Sequence, residues 1–185
     1  MANRLLGIIS ALPEELAHLS DRPGDVKEIG GLGFWPGEIA GREAVFVESG
    51  AGKVNAGVAT SLLLDRFGCR ALLLCGVAGG LDPALGVGDV VIGTAHVQHD
   101  YGTHREGYFL TIQPGSRPSR GTDDWEPGYP ESEALIGRLR GAVEGLALEP
   151  LPEQVDSGRR TPAVHFGTIL TGDSFINALP NFDAF

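Results

Sequence analysis

The sequence is short of most features that would place a chain outside the ordinary globular class. Only 2 of its 185 residues are cysteine, Cys69 and Cys75. Both lie on one predicted extended segment, which holds them too far apart for a disulfide. Free thiols without a signal-like N-terminus lead us to expect a reducing, cytoplasmic setting. No apolar run approaches membrane-spanning length, so no membrane partner is expected. Positive charge is scarce too: 14 Lys and Arg against 24 Asp and Glu leave a formal net charge of −10. No basic face is available to displace counterions from phosphates, which argues against a nucleic-acid partner.

Glycine, by contrast, is plentiful, at 28 residues. The densest cluster falls in Ala71 to Gly93, where the apolar run Ala71–Cys75 breaks into Gly76-Val77-Ala78-Gly79-Gly80. A turn through Gly86, Gly88 and Asp89 then leads to a second apolar run, Val90-Val91-Ile92. Short apolar runs bounded by glycine predict strands buried on both faces, hence a sheet covered by helices. Glycines at a strand's end let backbone amides approach a ligand in the crevice beyond it.

The remaining pattern alternates strands and helices. Leu5–Ser10 reads as the first strand, and Pro13 with Glu14 and Glu15 suits the start of a short helix. Apolar stretches at Ile29–Phe34, Gly37–Ile39 and Glu43–Val47 follow, with a hairpin turn expected at Gly41-Arg42. Val54–Phe67 and Glu131–Leu146 read as helices, and Ala163–Leu170 as a strand. His96–Tyr108 is polar and expected at a rim, while Gln113–Pro130 reads as a surface insertion. The alternation predicts one α/β domain over 1–185, with no internal repeat.

Several constellations invite a chemical reading. Glu14 and Glu15 decorate a helix start, or one of them faces the crevice as a general base. Ser49-Gly50-Ala51-Gly52-Lys53 imitates a phosphate loop but lacks its first glycine, where Val47 stands, and its Ser or Thr, where Val54 stands. A tight turn beside a ligand fits better. His96, His99, Asp100 and His104 show no recognised ligand spacing, so no metal is assigned. No G-x-S-x-G elbow occurs to support a serine nucleophile.

Four pieces, in order, resemble one family: Ile8-Ile9-Ser10-Ala11-Leu12-Pro13-Glu14-Glu15; Ser49-Gly50-Ala51-Gly52-Lys53-Val54-Asn55-Ala56; Gly76-Val77-Ala78-Gly79-Gly80 with Val87-Gly88-Asp89-Val90-Val91; and Thr171-Gly172-Asp173-Ser174-Phe175-Ile176-Asn177. Each is weak alone, but the ordered set is similar to the purine nucleoside phosphorylase/nucleosidase superfamily. Its nearest branch is the 5′-methylthioadenosine/S-adenosylhomocysteine nucleosidases. The resemblance implies a three-layer α/β/α sandwich around a mixed, twisted sheet, a purine nucleoside substrate and no cofactor. It also implies a homodimer, in which a partner's loop around His99–Tyr108 closes the 5′ pocket.

By position, Glu15 matches the family glutamate that helps activate the attacking water. Ala11 and Leu12 would line the site near that water and the sugar, and Ala51 would lie near the 5′ substituent. Val77, Ala78 and Gly79 match the segment that touches ribose and base, although serine is usual where Val77 stands. Phe175 and Ile176 match the pair that sandwiches adenine, and Asp173 is read as structural.

The related hexameric phosphorylases carry an arginine where this chain has Leu74, expected to be buried in its strand. Arginine's planar fork suits a phosphate dianion, and adjacent glutamates would repel one, so hydrolysis is favoured over phosphorolysis. The family's ribose-binding glutamate and purine-protonating aspartate belong downstream of Phe185. Two readings follow: the sequence is part of a longer enzyme, or it is a truncated homologue lacking the leaving-group acid. Futalosine hydrolase, with a bulkier 5′ group beside the small Ala51, is the sister reading. A nucleoside sensor without turnover is the non-enzymatic one.

Overall fold

The computed structural model describes residues 5–19, 25–115 and 128–174. They fall into two compact units, divided between Gly79 and Gly80.

In the first unit, β1 (Leu6–Ser10) passes into the one-turn helix α1 (Pro13–Leu16). There follow β2 (Lys27–Ile29), β3 (Leu32–Ile39), β4 (Arg42–Glu48), α2 (Lys53–Arg66) and β5 (Ala71–Leu74). The strands make one mixed sheet in the order β2-β3-β4-β1-β5. β1 is parallel to both β4 and β5, whereas β2, β3 and β4 form an antiparallel meander. The turn between β3 and β4 is Ala40-Gly41, both with positive φ (48° and 73°). That signature matches the strand twist of a two-residue hairpin. It lies one residue before the Gly41-Arg42 expected, because Arg42 already pairs with Ile39.

Period-two alternation along β1 and β4 divides the core between two faces. Ile9, Val45 and Val47 join Phe34, Cys69 and the α2 residues Ala59 and Leu63. Ile8, Ala44 and Phe46 pack instead against Leu16 of α1. Helices therefore cover both faces of this sheet, the layering of an α/β fold.

Burial of β5 differs from expectation. Leu73 and Leu74 are 46% and 68% exposed. Among the described residues β5 is at the edge, flanked only by β1 in its sheet. Leu73 pairs with Ile8, but the cluster sealed by Leu16 ends at Ile8, Ala44 and Phe46.

The second unit contains β6 (Val90–Gln98), β7 (Gly102–Arg105), β8 (Tyr108–Thr111), β9 (Tyr129–Pro130), α3 (Glu133–Val143) and β10 (Val164–Thr171). β6 lies between the parallel β10 and the short antiparallel β9, and β7 pairs with β8 in a hairpin. The strand predicted at Val90–Ile92 thus continues through His96, which leaves the rim for a ladder position opposite Tyr129. Backbone pairing on both sides carries the strand through polar residues that an apolar pattern misses. Val90 is 46% exposed rather than buried. The end of the expected insertion, Tyr129–Pro130, is likewise paired with β6, while 116–127 lie outside the described residues. α3 is shorter than predicted at both ends: Ser132 caps its start, accepting from the Leu135 N–H at 3.3 Å, and the chain leaves the helix at Glu144, which is extended, and Gly145, with φ 75°.

Asp89 ties the start of β6 to the approach to β10. Its side chain is only 4% exposed. Oδ2 accepts from the Gly86 N–H (2.9 Å), Oδ1 from the Ala163 N–H (2.7 Å), and Arg160 binds both oxygens at 2.8 and 2.5 Å. The Gly86 and Ala163 amides, with the Arg160 charge, hold its carboxyl down at about 2.

Candidate active site

β4, β1 and β5 run parallel and finish on one edge of their sheet, at Glu48, Ser10 and Leu74. Ligands of such sheets bind beyond the carboxyl ends of the strands. Three connections leave this edge: the turn into α1, the turn into α2, and the glycine-rich segment after β5.

The first is shaped by Glu15. Leu12 occupies the N-cap position with an extended backbone (φ −121°, ψ 149°) and has no side-chain oxygen to cap the helix. Pro13 supplies no N–H. Glu15 turns back instead, and its Oε2 accepts from the Ala11 and Leu12 N–H groups, each at 2.9 Å. This is the acidic half of a capping box. The other oxygen, Oε1, accepts from the Val77 N–H at 2.9 Å, bridging 62 residues of sequence. One carboxylate thus binds the turn after β1 to the segment after β5.

Gly76 makes that bridge sterically possible. A Cβ at this position would lie 2.7 Å from Oε1 and 3.1 Å from Cδ of Glu15. The requirement is close approach of the carboxylate to backbone, not an unusual torsion.

The second connection begins where the Ser49 N–H donates to the Ser10 carbonyl at 2.8 Å. Gly50 and Gly52 take positive φ (75° and 104°), and Asn55 Nδ2 donates to the Ala51 carbonyl at 2.7 Å. Ala51 is thereby held exposed at the crest of a tight turn opening α2. Beyond Val77, which is 87% exposed, Ala78 and Gly79 are also open to solvent.

Ala11, Leu12, Glu15 and Val77 are therefore brought together by direct hydrogen bonds, with Ala51 on the same sheet edge. Phe175 and Ile176 lie outside the described residues. Leu74 is exposed, contrary to the expected burial, because it closes the edge strand. Glu14 is exposed, and no hydrogen bond or ion pair marks it out as the base. Of the four polar residues considered for a metal, His96 pairs with Glu131 at 3.3 Å, His104 meets Phe109 edge-on, and Asp100 accepts from the Asp173 N–H at 2.8 Å. Among the described residues no group of three or more His, Cys, Asp or Glu could hold an ion.

Sequence reasoning missed Ser10, Ser49, Asn55 and the steric role of Gly76. A serine ending the run Leu6-Gly7-Ile8-Ile9 was the visible signal for Ser10, since a polar group at a buried strand end must find a partner.

Chemically, a carboxylate oxygen accepts about two hydrogen bonds. Among the described residues Oε2 already has two donors and Oε1 has one. Oε1 is thus the oxygen with capacity for a water molecule.

A family profile described as the phosphorylase superfamily matches residues 5–181. The chain is 40% identical over 174 residues to a 5′-methylthioadenosine/S-adenosylhomocysteine nucleosidase of Mycobacterium bovis, covering 93% of this chain and 68% of that protein. Among solved structures it is similar to the Neisseria meningitidis nucleosidase of the same name in complex with methylthio-immucillin-A. There the TM-score is 0.68, with 28% identity over 94% of this chain and 67% of that one. A futalosine hydrolase mutant of Helicobacter pylori matches in fold, with TM-score 0.70 at 23% identity, over 95% of this chain and 71% of that one. The chain spans about two thirds of the length of the relatives it matches.

Proposed function

The chain belongs to the phosphorylase superfamily, and on that footing we propose that it is an N-glycosyl hydrolase of 5′-methylthioadenosine and S-adenosylhomocysteine. The reaction adds water across the C1′–N9 bond: the water oxygen bonds to C1′, the C1′–N9 bond breaks, and adenine leaves carrying a proton. As that bond lengthens, the ribose gains oxocarbenium character.

The observation that carries this reading is the Glu15 carboxylate, fixed by three backbone N–H groups with Oε1 still able to accept from water. Glu15 is the general base. Ala11 and Leu12 line the side nearest the water and sugar, Ala51 the 5′ substituent, and Val77, Ala78 and Gly79 the ribose and base. Phe175 and Ile176 are assigned to the adenine. Leucine at position 74, with Glu14 and Glu15 side by side, disfavours phosphate as nucleophile.

The activity is assigned to the whole protein, acting as a single-domain, cytoplasmic homodimer in methionine salvage and nucleoside catabolism. The test is adenine release from either nucleoside in phosphate-free buffer. Turnover supports the reading, and absence of release from both overturns it. Futalosine hydrolysis is the second reading, favoured by the small, exposed Ala51 beside the 5′ position. Release of hypoxanthine from futalosine, faster than adenine from methylthioadenosine, would select it.

A further inference from the structure

Ser10 is the last residue of β1 and is completely buried. The regular ladder between β1 and β5 stops at the pair Ile9 and Leu74, with the Cys75 N–H reaching back to the Ile9 carbonyl at 3.0 Å. One contact continues beyond it: Ser10 Oγ donates to the Cys75 carbonyl at 2.5 Å. The Ser10 carbonyl is occupied on the opposite side by the Ser49 N–H at 2.8 Å, while the Ser49 hydroxyl, 3.3 Å away, has the Gly50 carbonyl as its shorter acceptor at 2.9 Å. Ser49 is itself only 5% exposed. Ser10 therefore joins three strand ends at the level where the sheet gives way to the site.

The residues on either side of this bond are those that hold the base. Ala11, next after Ser10, donates to Glu15 Oε2, and Val77, two residues after Cys75, donates to Oε1. A carboxylate's two oxygens have a fixed separation, so it can accept from both backbones only when the gap between them is right. The hydroxyl of Ser10 is a second side-chain link across that gap, one step nearer the sheet.

We propose that Ser10 is a positioning residue for Glu15: its hydroxyl, through the Cys75 carbonyl, sets the distance between the β1 and β5 ends at which the Val77 N–H meets the carboxylate. The inference rests on Glu15 being the base, but its geometry can be tested without turnover. Deleting the hydroxyl frees the Cys75 carbonyl and lets the Gly76-Val77 backbone drift from Oε1. The carboxylate then loses its third donor, and displacement of a catalytic group lowers the rate about ten- to a hundredfold.

The experiment compares the full-length protein with Ser10→Ala and Ser10→Cys, the latter slightly larger and offering only a weak donor. In the first arm, amide hydrogen exchange is read at Val77. Its N–H is protected in the parent despite the exposure of the residue, and exchange should quicken at least about tenfold in Ser10→Ala, with Ser10→Cys between the two. In the second arm, kcat for adenine release should fall in the same order, and by far more than KM rises. Unchanged Val77 exchange in both folded variants overturns the inference. So does a loss shared between kcat and KM, which would mark Ser10 as general scaffolding. Should Ser10→Ala fail to fold, Ser10→Cys carries both arms alone. If the parent releases no base at all, the proposed function fails, and the exchange arm still decides the role of Ser10.

Discussion

The Glu15 carboxylate lies 2.9 Å from the backbone nitrogen of Val77, so a single side chain spans the ends of two neighbouring parallel strands. The local helix cap and the long-range bridge are the same group. A residue that looks like helix-end decoration in the sequence is fixed at the mouth of the site from both sides.

The bridge depends on a missing side chain. Gly76→Ala would place a methyl group 2.7 Å from Oε1, and the carboxylate must swing away. Adenine release should fall about a hundredfold, the scale of a displaced catalytic group. The melting temperature should stay close to the parent's, since Gly76 is exposed and outside the core clusters. Retention of full activity would show that Glu15 need not hold this position.

Water and phosphate can be told apart as nucleophiles. Leucine occupies position 74, and no arginine lies among residues 71–93, so adding inorganic phosphate should leave the rate unchanged. The sugar product should be the free 5′-thio-ribose. Phosphate-dependent turnover with a sugar 1-phosphate product would instead make the enzyme a phosphorylase.

Much of this was legible in the sequence, for physical reasons. The glycine-bounded apolar run Ala71–Cys75 marked β5, and the apolar stretches Leu5–Ser10 and Glu43–Val47 marked β1 and β4, because cores need apolar faces and strand ends need turn residues. The ordered motifs marked Glu15 and Val77. What the sequence hid was non-local. No pattern indicates that Leu73 and Leu74 belong to an edge strand, or that β6 continues through His96. Strand pairing decides both. Nor could Gly76 be read as a steric allowance for Glu15 before the two were brought together, and the same holds for Arg160 and Asp89.

That Arg160 and Asp89 clasp has a pH signature. Hydrogen bonds from Gly86 and Ala163, with the Arg160 charge, lower the Asp89 pKa from 3.8 to about 2 in the folded state. A depressed carboxyl stabilises the fold fully above its unfolded value, and that contribution is lost as pH falls through the folded one. Wild-type stability should therefore drop between pH 4 and 2. Asp89→Asn should be less stable at neutral pH and show a shallower decline across that window. Denaturant titrations at stepped pH check this, and parallel declines would contradict it.

The core on the α2 side of the first unit's sheet depends on Leu63, which is fully buried against Ile9, Phe34 and Val47. Leu63→Ala should cost about 2–5 kcal/mol, the range for a leucine cavity in a packed interior. Val58→Ala on the same helix, where the side chain is 45% exposed, should cost well under about 1 kcal/mol. Urea denaturation of both variants measures the contrast.

The most direct test of the central claim is the turnover of Glu15→Gln on 5′-methylthioadenosine in the full-length protein. Glutamine keeps the shape and one acceptor oxygen but cannot take a proton from water. Adenine release should fall about 10²–10⁴-fold, the contribution of a positioned general base, while nucleoside binding measured by calorimetry stays nearly unchanged. Turnover within tenfold of the parent, at equal affinity, would contradict the assignment of Glu15 as the group that activates water.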